Sequence, residues 1–277
     1  MKAADFAGKR VYLVGGSLGI GLAIARRLAA LGADLVIFAR RRAPRDAAVA
    51  ELRALAPACR VEGRALDVAD HAEVLSVMAE TTATLGVPDV LVNCAGRARP
   101  APFEAIDHAA FVDTLRANLI GCWSTVHALV PCMKERGGYV VNTASVAGLV
   151  GVFGYTDYCA AKFGVVGFSE ALRAELRPHG ITVSVLCPPD TATPGFDAEN
   201  RTKPEETRVI SAGAPLLTAE AVAAALLRGM ARRRFLIVPG LGARAAVLAK
   251  RLAPRALEWA MDREVRRVAA RRKRPPR

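Results

Sequence analysis

The stretch RVYLVGGSLGIGLAIARRLAALGADLVIFAR (residues 10–40) decides the fold class. It begins with a short apolar, β-branched run that ends in glycines. Apolar residues at helical spacing follow, and then a second strand-like run, DLVIF. A strand, a glycine turn, a helix and another strand are typical of the first unit of a parallel sheet.

The same alternation continues to about residue 190. Helical patterns separate four further strand candidates, which are VEGRALDV (61–68), PDVLVNCAG (88–96), GGYVVNTAS (137–145) and ITVSVLCPP (181–189). Strands that alternate with helices indicate a parallel sheet covered on both faces. The sequence therefore predicts an α/β fold, with a single doubly wound Rossmann domain and a mainly parallel sheet over residues 1–240.

The positive charge of the chain is concentrated near its C-terminus. The 277 residues carry a formal net charge of +13, and residues 228–277 contain 16 of the 39 Lys and Arg but 3 of the 26 Asp and Glu. The rest of the chain is neutral. We therefore expect a globular body with a basic helical C-terminal extension at residues 241–277.

Cysteine and histidine usage points to a reducing compartment without a metal site. The six cysteines and four histidines show no spacing typical of metal ligands, and the cysteines lie mostly in apolar or small-residue runs. The N-terminus lacks the apolar core of a signal peptide, and no apolar run reaches the ~18 residues that a membrane span needs. We expect a cytoplasmic protein with reduced thiols.

The glycine turn is a candidate nucleotide site. Glycines permit the tight turn and let the backbone approach a pyrophosphate at the N-terminus of the next helix. Such a turn is weak evidence by itself, because ordinary strand–helix connections also contain glycine. Its place after the first strand makes cofactor contacts the favoured interpretation for Gly15, Ser17, Gly19, Ile20 and Gly21.

The end of the second strand favours NADPH over NADH. Enzymes that use NAD usually have an acidic residue there, but this strand ends in Arg40, Arg41 and Arg42. Guanidinium groups suit a 2′-phosphate. The alternative is that these arginines only form a solvated loop.

A tyrosine and a lysine form the candidate catalytic pair. Tyr158 and Lys162 are four residues apart and share one helix face. The ammonium can favour the tyrosinate, and so make the phenol a better acid near neutral pH. Ser145, at the end of a neighbouring strand, can hydrogen-bond the same substrate oxygen. Tyrosine and lysine at this spacing also occur by chance, so the pair gains weight only from the motifs around it.

Together these motifs resemble the short-chain dehydrogenase/reductase family over about residues 8–240. The matching positions are Gly15-x-x-x-Gly19-x-Gly21, Asp67, the run Asn93-Cys94-Ala95-Gly96, Asn118, Ser145 and Tyr158-x-x-x-Lys162. Val14 replaces the usual threonine, and Pro188-Pro189 replaces proline-glycine. The departure at Val14 puts a structural link to the fourth strand in doubt, not the chemistry.

The resemblance implies a role for each matching residue. Tyr158 protonates a carbonyl oxygen as hydride arrives from the nicotinamide, Lys162 lowers the pKa of Tyr158 and holds the ribose, and Ser145 polarises the carbonyl. Asn118 supports a proton relay through water, and Asp67 meets the adenine. Further cofactor contacts are expected from Arg40, Arg41, Asn93, Ala95, Gly96, Pro188, Thr191 and Thr193.

Residues 188–217 form the expected substrate loop. The run CPPDTATPGFDAENRTKPEET (187–207) resembles the corresponding segment of the 3-ketodihydrosphingosine (3-dehydrosphinganine) reductases, a group within this family. That resemblance implies NADPH-dependent reduction of a long-chain keto-sphingoid substrate to sphinganine. The alternatives are a reductase of another β-keto substrate, such as a 3-oxoacyl thioester, and a non-catalytic nucleotide-binding scaffold at a membrane.

The loop also contains acidic residues that could bind the cationic amine of such a substrate. The candidates for this contact, with no preference among them, are Asp190, Asp197, Glu199, Glu205 and Glu206. The alternative is that these acids pair with Arg201, Lys203 and Arg208 and only order the loop.

The extension contains an apolar stripe surrounded by arginines. Leu257, Met261, Val265 and Val268 follow helical spacing, and Trp259 suits a membrane interface. The favoured interpretation is a basic amphipathic helix on the cytoplasmic face of an anionic membrane. The alternatives are packing on the domain or in an oligomer, disorder of RRKRPPR, and binding to nucleic acid, for which the chain has no recognisable module. The family resemblance also implies a homo-oligomer.

Overall fold

The computed structural model describes residues 6–212 and 215–272. In chain order its strands are β1 (Arg10–Val14), β2 (Asp34–Phe38), β3 (Val61–Arg64), β4 (Val90–Asn93), β5 (Gly138–Thr143), β6 (Ile181–Leu186), β7 (Thr191–Ala192), β8 (Leu217–Thr218) and β9 (Leu236–Ile237). Its α-helices are α1 (Gly19–Ala30), α2 (Arg42–Leu55), α3 (His71–Leu85), α4 (His108–Leu115), α5 (Gly121–Met133), α6 (Thr156–Leu176), α7 (Pro194–Asn200), α8 (Glu205–Ser211), α9 (Ala219–Ala231), α10 (Leu241–Leu252) and α11 (Pro254–Arg272).

Seven of these strands form one parallel sheet in the order β3-β2-β1-β4-β5-β6-β9. The chain reverses direction across the sheet between β1 and β4, which creates a crevice at the carboxyl ends of these strands. This order confirms the predicted doubly wound Rossmann fold. The sequence analysis missed β9, because two paired residues leave almost no periodicity to detect.

Side chains on β1 alternate between two cores, as the period of a strand requires. Val11 and Leu13 pack with α1, α2 and α9, whereas Tyr12 and Val14 pack with α3, α5 and α6. Both faces of the sheet are therefore covered by helices. This arrangement explains why the strands read as continuous apolar runs.

The segment predicted as a long substrate loop is largely regular in the structure. β7 pairs with β8, and α7 and α8 lie between them. Thr193 caps α7 by accepting a hydrogen bond from the amide of Phe196 at 3.1 Å, and Pro194 occupies the first turn, where a missing amide hydrogen costs little. Residues 213 and 214 of the segment lie outside the described residues. We call residues 188–212 and 215–217 the lid.

The predicted extension folds back onto the domain. Val247 of α10 packs with Val185 and Val238, and α11 packs against α8 and α10. Val268 is only 1% exposed, and Leu257, Met261 and Val265 are half-buried. The apolar stripe of α11 therefore packs in part on the domain, which was one of the alternatives. The favoured interpretation, contact of this helix with a membrane, stays a prediction. Residues 273–277 lie outside the described residues. In the part of the chain that the structure describes, no helix combines the length and apolarity of a membrane span.

Candidate active site

The glycine turn after β1 lies so close to its neighbours that side chains would not fit. A Cβ on Gly15 would meet the amide nitrogen of Ala95 at 2.5 Å, and one on Gly21 would meet the carbonyl oxygen of Gly15 at 2.1 Å. Gly15 also has a φ of +82°, which favours glycine. Ser17 and Ile20 belong to the same turn. The first turn of α1 contains no acidic residue, so its free amides suit a pyrophosphate.

The lid reaches over this turn. A Cβ on Gly19 would meet the methyl group of Thr193 at 3.0 Å. Thr191 is buried and donates to the carbonyl of Pro189 at 2.8 Å, while the carbonyl of Pro188 accepts a hydrogen bond from the amide of Val146 at 3.0 Å. Thr193 therefore lies at the nucleotide turn, while Pro188 faces the end of β5.

Arg40 and Asp67 meet at the end of β2. The Arg40 guanidinium lies 3.1 Å from the Asp67 carboxylate, and Arg40 and Arg41 are exposed. Burial alone would raise the pKa of Asp67, but hydrogen bonds from the Ala69 amide and Arg40 lower it below its usual value. Asp67 is therefore ionised and holds Arg40 beside the glycine turn.

Asn93 is part of a buried polar ladder beneath the site. Its side chain donates to Asn142 at 3.0 Å and accepts from Thr125 at 2.8 Å, and Asn142 donates to Ser169 at 2.9 Å. These bonds fix the Asn93 side chain beneath the site. Its predicted cofactor contact stays a prediction. The sequence analysis missed the ladder partners, although polar residues inside the apolar runs of β4 and β5 were a signal for them.

Asn118 lies in a π-helical turn (Arg116–Ile120) between α4 and α5. Its amide donates to the carbonyls of Arg97 and Thr114 at 2.8 and 2.9 Å, and its oxygen accepts from the Arg97 amide at 3.1 Å. Single π-turns of this kind often occur at functional sites. In this chain Asn118 ties the turn to the segment after β4. Its predicted part in a water relay stays a prediction.

Lys162 and Gly96 come together beside Asn118. A Cβ on Gly96 would lie 2.5 Å from the Asn118 oxygen and 3.3 Å from the Lys162 ammonium. The ammonium is buried and donates to the carbonyl of Thr143 at 2.9 Å. Burial lowers the pKa of Lys162 to about 8.

Tyr158 and Ser145 form the other half of the site. Ser145 follows β5, accepts from the Ala147 amide at 3.1 Å and hydrogen-bonds the phenol of Tyr158. Asp157, which the sequence analysis did not single out, accepts from Thr114 at 2.6 Å and so anchors the start of α6. The structure therefore brings Ser145, Tyr158, Lys162 and Asn118 to one place, as predicted.

The pKa of Tyr158 differs from the expectation. Burial raises it, the negative charge of Glu199 raises it further, and the hydrogen bond from Ser145 lowers it only in part. The Lys162 ammonium lies 5.5 Å from the centre of the ring and bonds a backbone carbonyl, so it does not outweigh burial. Tyr158 is consequently protonated at neutral pH and can act as a proton donor.

An anionic cluster of four lid residues and Tyr155 lies beside Tyr158, and we call it the lid cluster (Tyr155, Asp190, Phe196, Glu199 and Lys203). The Lys203 ammonium is 3.3 Å from Asp190, 3.4 Å from Glu199 and 4.4 Å from the centre of the Phe196 ring. Tyr155 donates a hydrogen bond to Glu199, and its ring centre is 5.8 Å from that of Tyr158. With both carboxyl groups ionised, two carboxylates and one ammonium give the lid cluster a net charge of about −1. Burial raises the pKa of Glu199, while Tyr155 and Lys203 lower it in part.

The other acidic residues of the lid have different environments. Asp197 and Glu205 are exposed, and Glu206 is buried. Arg208 donates to the backbone carbonyls of Lys203 and Asn200. Among the described residues, no group of three or more His, Cys, Asp or Glu could hold a metal ion.

Comparisons with known proteins agree with this geometry. The short chain dehydrogenase family model matches residues 9–204. A 3-dehydrosphinganine reductase from Danio rerio is 37% identical over 232 residues, which is 82% of this chain and 70% of the relative. A protein of Streptomyces violaceoruber, named for ketoacyl reduction in the granaticin polyketide synthase, is 38% identical over 192 residues, which is 68% of this chain and 70% of the relative.

Two solved structures extend the likeness to three dimensions. A short-chain dehydrogenase from Sphingobium yanoikuyae in complex with NADPH superimposes with a TM-score of 0.77 at 27% identity, covering 90% of this chain and 95% of its own. A short-chain dehydrogenase/reductase from Burkholderia phymatum in complex with NAD gives 0.78 at 28% identity, covering 89% and 94%. With its family motifs assembled at one crevice, this chain belongs to the short-chain dehydrogenase/reductase family.

Proposed function

We propose that the protein reduces 3-ketodihydrosphingosine to sphinganine with NADPH. The observation that carries the proposal is the lid cluster, which places a net negative charge beside a complete reductase site. The substrate has a cationic amine on the carbon next to its ketone, so a ketone held at Tyr158 brings the amine close to that charge. The relative from Danio rerio, whose name states this ketone as its substrate, supports the same conclusion.

The residues of the site suit reduction of a ketone. The nicotinamide of the bound cofactor supplies a hydride to the carbonyl carbon. Tyr158 gives its proton to the carbonyl oxygen, while Ser145 donates a hydrogen bond to the same oxygen. The buried Lys162 ammonium then stabilises the phenolate that forms, because opposite charges attract strongly in a dry site.

The cofactor fits the cradle formed by the glycine turn. At Gly15, Gly19 and Gly21 a Cβ would contact neighbouring protein atoms at 2.5, 3.0 and 2.1 Å, so the tight turn that a pyrophosphate needs depends on glycine. Structural neighbours bind NADPH or NAD, so a nicotinamide dinucleotide is the expected class. The preference for NADPH rests on Arg40 and Arg41, two exposed guanidinium groups after β2, where we expect an adenosine 2′-phosphate to bind.

Glu199 is the best candidate for binding the substrate amine, followed by Asp190. Both carboxylates are close enough to Tyr158 to raise its pKa, and Glu199 has the larger effect. The Lys203 ammonium already pairs with both carboxylates, which is the ordering role given above as the alternative. The proposal is that the remaining negative charge binds the substrate amine. Asp197 and Glu205 are less suited, because both are exposed.

A second candidate is reduction of a 3-oxoacyl thioester. The relative named for ketoacyl reduction favours it, since it shares 38% identity over 68% of this chain. Such a substrate has no amine next to the ketone, so the lid cluster would have no evident partner. A direct comparison of the two substrates separates these functions.

The deciding experiment incubates purified protein with NADPH and 3-ketodihydrosphingosine in mixed micelles. NADPH absorbance and sphinganine, measured by mass spectrometry, report the reaction, and a 3-oxoacyl thioester is tested in parallel. Sphinganine formed by the wild type and lost in Tyr158→Phe supports the proposal. Turnover of the thioester with no sphinganine would favour the second candidate.

Location and assembly belong to the same proposal. All six cysteines are free, which suits the reducing cytoplasm. Burial raises the pKa of Cys122 and Cys187 to about 12, so these thiols are unreactive.

Trp123 on α5 and Phe163 on α6 are 42% and 44% exposed. These faces suit a homo-oligomer, which sedimentation of a Trp123→Ser/Phe163→Ser variant would test.

A further inference from the structure

Helix α10 presents an uncovered row of leucines. Leu241, Leu248 and Leu252 are 81%, 56% and 75% exposed, and together with Ala245 their spacing places them on one face. We call these four residues the α10 stripe. The opposite face of the helix, which includes Val247, packs into the domain. The helix is therefore held by the fold while its outer face stays apolar.

A basic cavity of about 490 Å³ lies next to this helix, between α9, β9 and the start of α10. Its lining includes Arg228, Arg232, Arg234 and Arg244, all of them exposed. Within residues 6–212 and 215–272, none of these four guanidinium groups is salt-bridged to a carboxylate. An anion in the cavity would relieve the repulsion among them.

Arg244 joins the two features. It lines the cavity, and it lies three residues after Leu241 and four before Leu248, on adjacent turns of α10. Arg251, seven residues further on, continues the same flank of the helix. An apolar row and a row of guanidinium groups therefore run side by side on one surface.

We propose that this surface docks the protein on an anionic phospholipid bilayer, with the α10 stripe in the acyl boundary and lipid phosphates at the arginine-lined cavity. Leucines beside arginines are the composition that interfacial helices use. Charge complementarity selects the partner, since residues 228–277 carry the whole excess positive charge of the chain. A second copy of the chain would bring the same positive charge to this face, and a nucleic acid would leave the leucines exposed to water.

The leucines provide the first test, which concerns binding and is independent of the proposed reaction. The full-length protein is sedimented with vesicles of equimolar phosphatidylglycerol and phosphatidylcholine, and with vesicles of phosphatidylcholine alone. We expect binding to the anionic vesicles only. The variant Leu241→Ser/Leu248→Ser/Leu252→Ser should bind at least about 100-fold more weakly. Leu55→Ser, which changes a half-exposed leucine of α2, should bind like the wild type.

The arginines provide the second test. Each basic residue near an anionic surface contributes about 1 kcal/mol, so Arg228→Gln/Arg232→Gln should weaken vesicle binding about 30-fold. Arg136→Gln/Arg177→Gln removes the same charge from exposed positions elsewhere and should have little effect. High ionic strength should weaken binding of the wild type to the anionic vesicles.

Several outcomes would overturn the inference. One is that the leucine variant binds vesicles as tightly as the wild type. Because this variant keeps every charge of residues 271–277, that result would assign binding to the basic C-terminal segment. Another is stabilisation of the protein by inorganic phosphate without any vesicle binding, which would indicate a site for a free anion. A third is a smaller oligomer for the leucine variant with no vesicle binding by the wild type, which would make the surface an interface between copies.

Discussion

Replacing Glu199 by glutamine should convert an amino-ketone reductase into one that no longer favours the amine. The substitution keeps the size of the side chain and an oxygen that can accept from Tyr155, but it removes the charge. With Asp190 and Lys203 left, the lid cluster becomes neutral. The perturbation is therefore electrostatic, and the fold of the lid should persist.

The magnitude follows from the position of Glu199. Two unit charges about 4 Å apart interact by about 4 kcal/mol at an effective dielectric constant of about 20. Desolvation cancels part of this, and hydrogen bonds to charged groups contribute about 1.5–3 kcal/mol net. We therefore expect kcat/KM for 3-ketodihydrosphingosine to fall about 10- to 100-fold.

The assay compares this substrate with the same hydroxyketone lacking the amine. Glu199→Gln should lower kcat/KM for the amino ketone and leave the value for the des-amino ketone unchanged or higher. Loss of the charge should also lower the pKa of Tyr158, because Glu199 raises it.

Controls separate a role in binding from a role in folding. Asp197→Asn removes an exposed charge from the same helix and should leave both substrates unaffected. If Glu199→Gln lowers kcat/KM equally for the two ketones, or for neither, the role of Glu199 is refuted while the proposed reaction stays intact. A wild type that reduces neither ketone would instead refute the reaction itself.

Three further results are expected. Gly21→Ala places a Cβ 2.1 Å from a backbone oxygen of the same turn, so it should abolish NADPH binding and lower the melting temperature in calorimetry. The control Gly167→Ala, whose Cβ would meet nothing within 4 Å, should leave the melting temperature unchanged or slightly higher. Arg40→Gln/Arg41→Gln should weaken NADPH binding about 10-fold or more in fluorescence titrations and leave NADH binding nearly unchanged; an equal loss for both cofactors would contradict the 2′-phosphate role. The pKa of Lys162 falls from 10.5 to about 8 on folding, so between these pH values the unfolded chain binds more protons than the folded one. In denaturant titrations the free energy of unfolding of the wild type should therefore rise by up to about 3 kcal/mol relative to Lys162→Met as pH increases through that window.

Much of the site was readable from the sequence because its motifs are local. Gly21 contacts the carbonyl oxygen of Gly15 within the same turn, and Tyr158 and Lys162 share a helix face by spacing alone. Thr193 followed by Pro194 is a pattern typical of a helix start, but the sequence analysis did not use it and expected a loop there.

Other features depend on parts of the chain that are far apart in sequence. Glu199 meets Tyr155 across 44 positions, and Lys203 reaches Asp190 only after the lid has folded. The pKa of Tyr158 could not be inferred from the Lys162 spacing, since it reflects how deeply the whole site is buried and which charges the lid adds.

The sequence by itself determined the Rossmann fold, the glycine turn, the candidate catalytic residues and the concentration of positive charge near the C-terminus. Each of these depends on residue type and short-range spacing, which a linear pattern contains. Only the tertiary structure decided that α11 packs against α8, that the exposed leucines belong to α10, and that Glu199 and Asp190 lie beside Tyr158. Burial and electrostatic contact depend on which surfaces meet after folding, and an apolar stripe looks the same in sequence whether protein or lipid covers it.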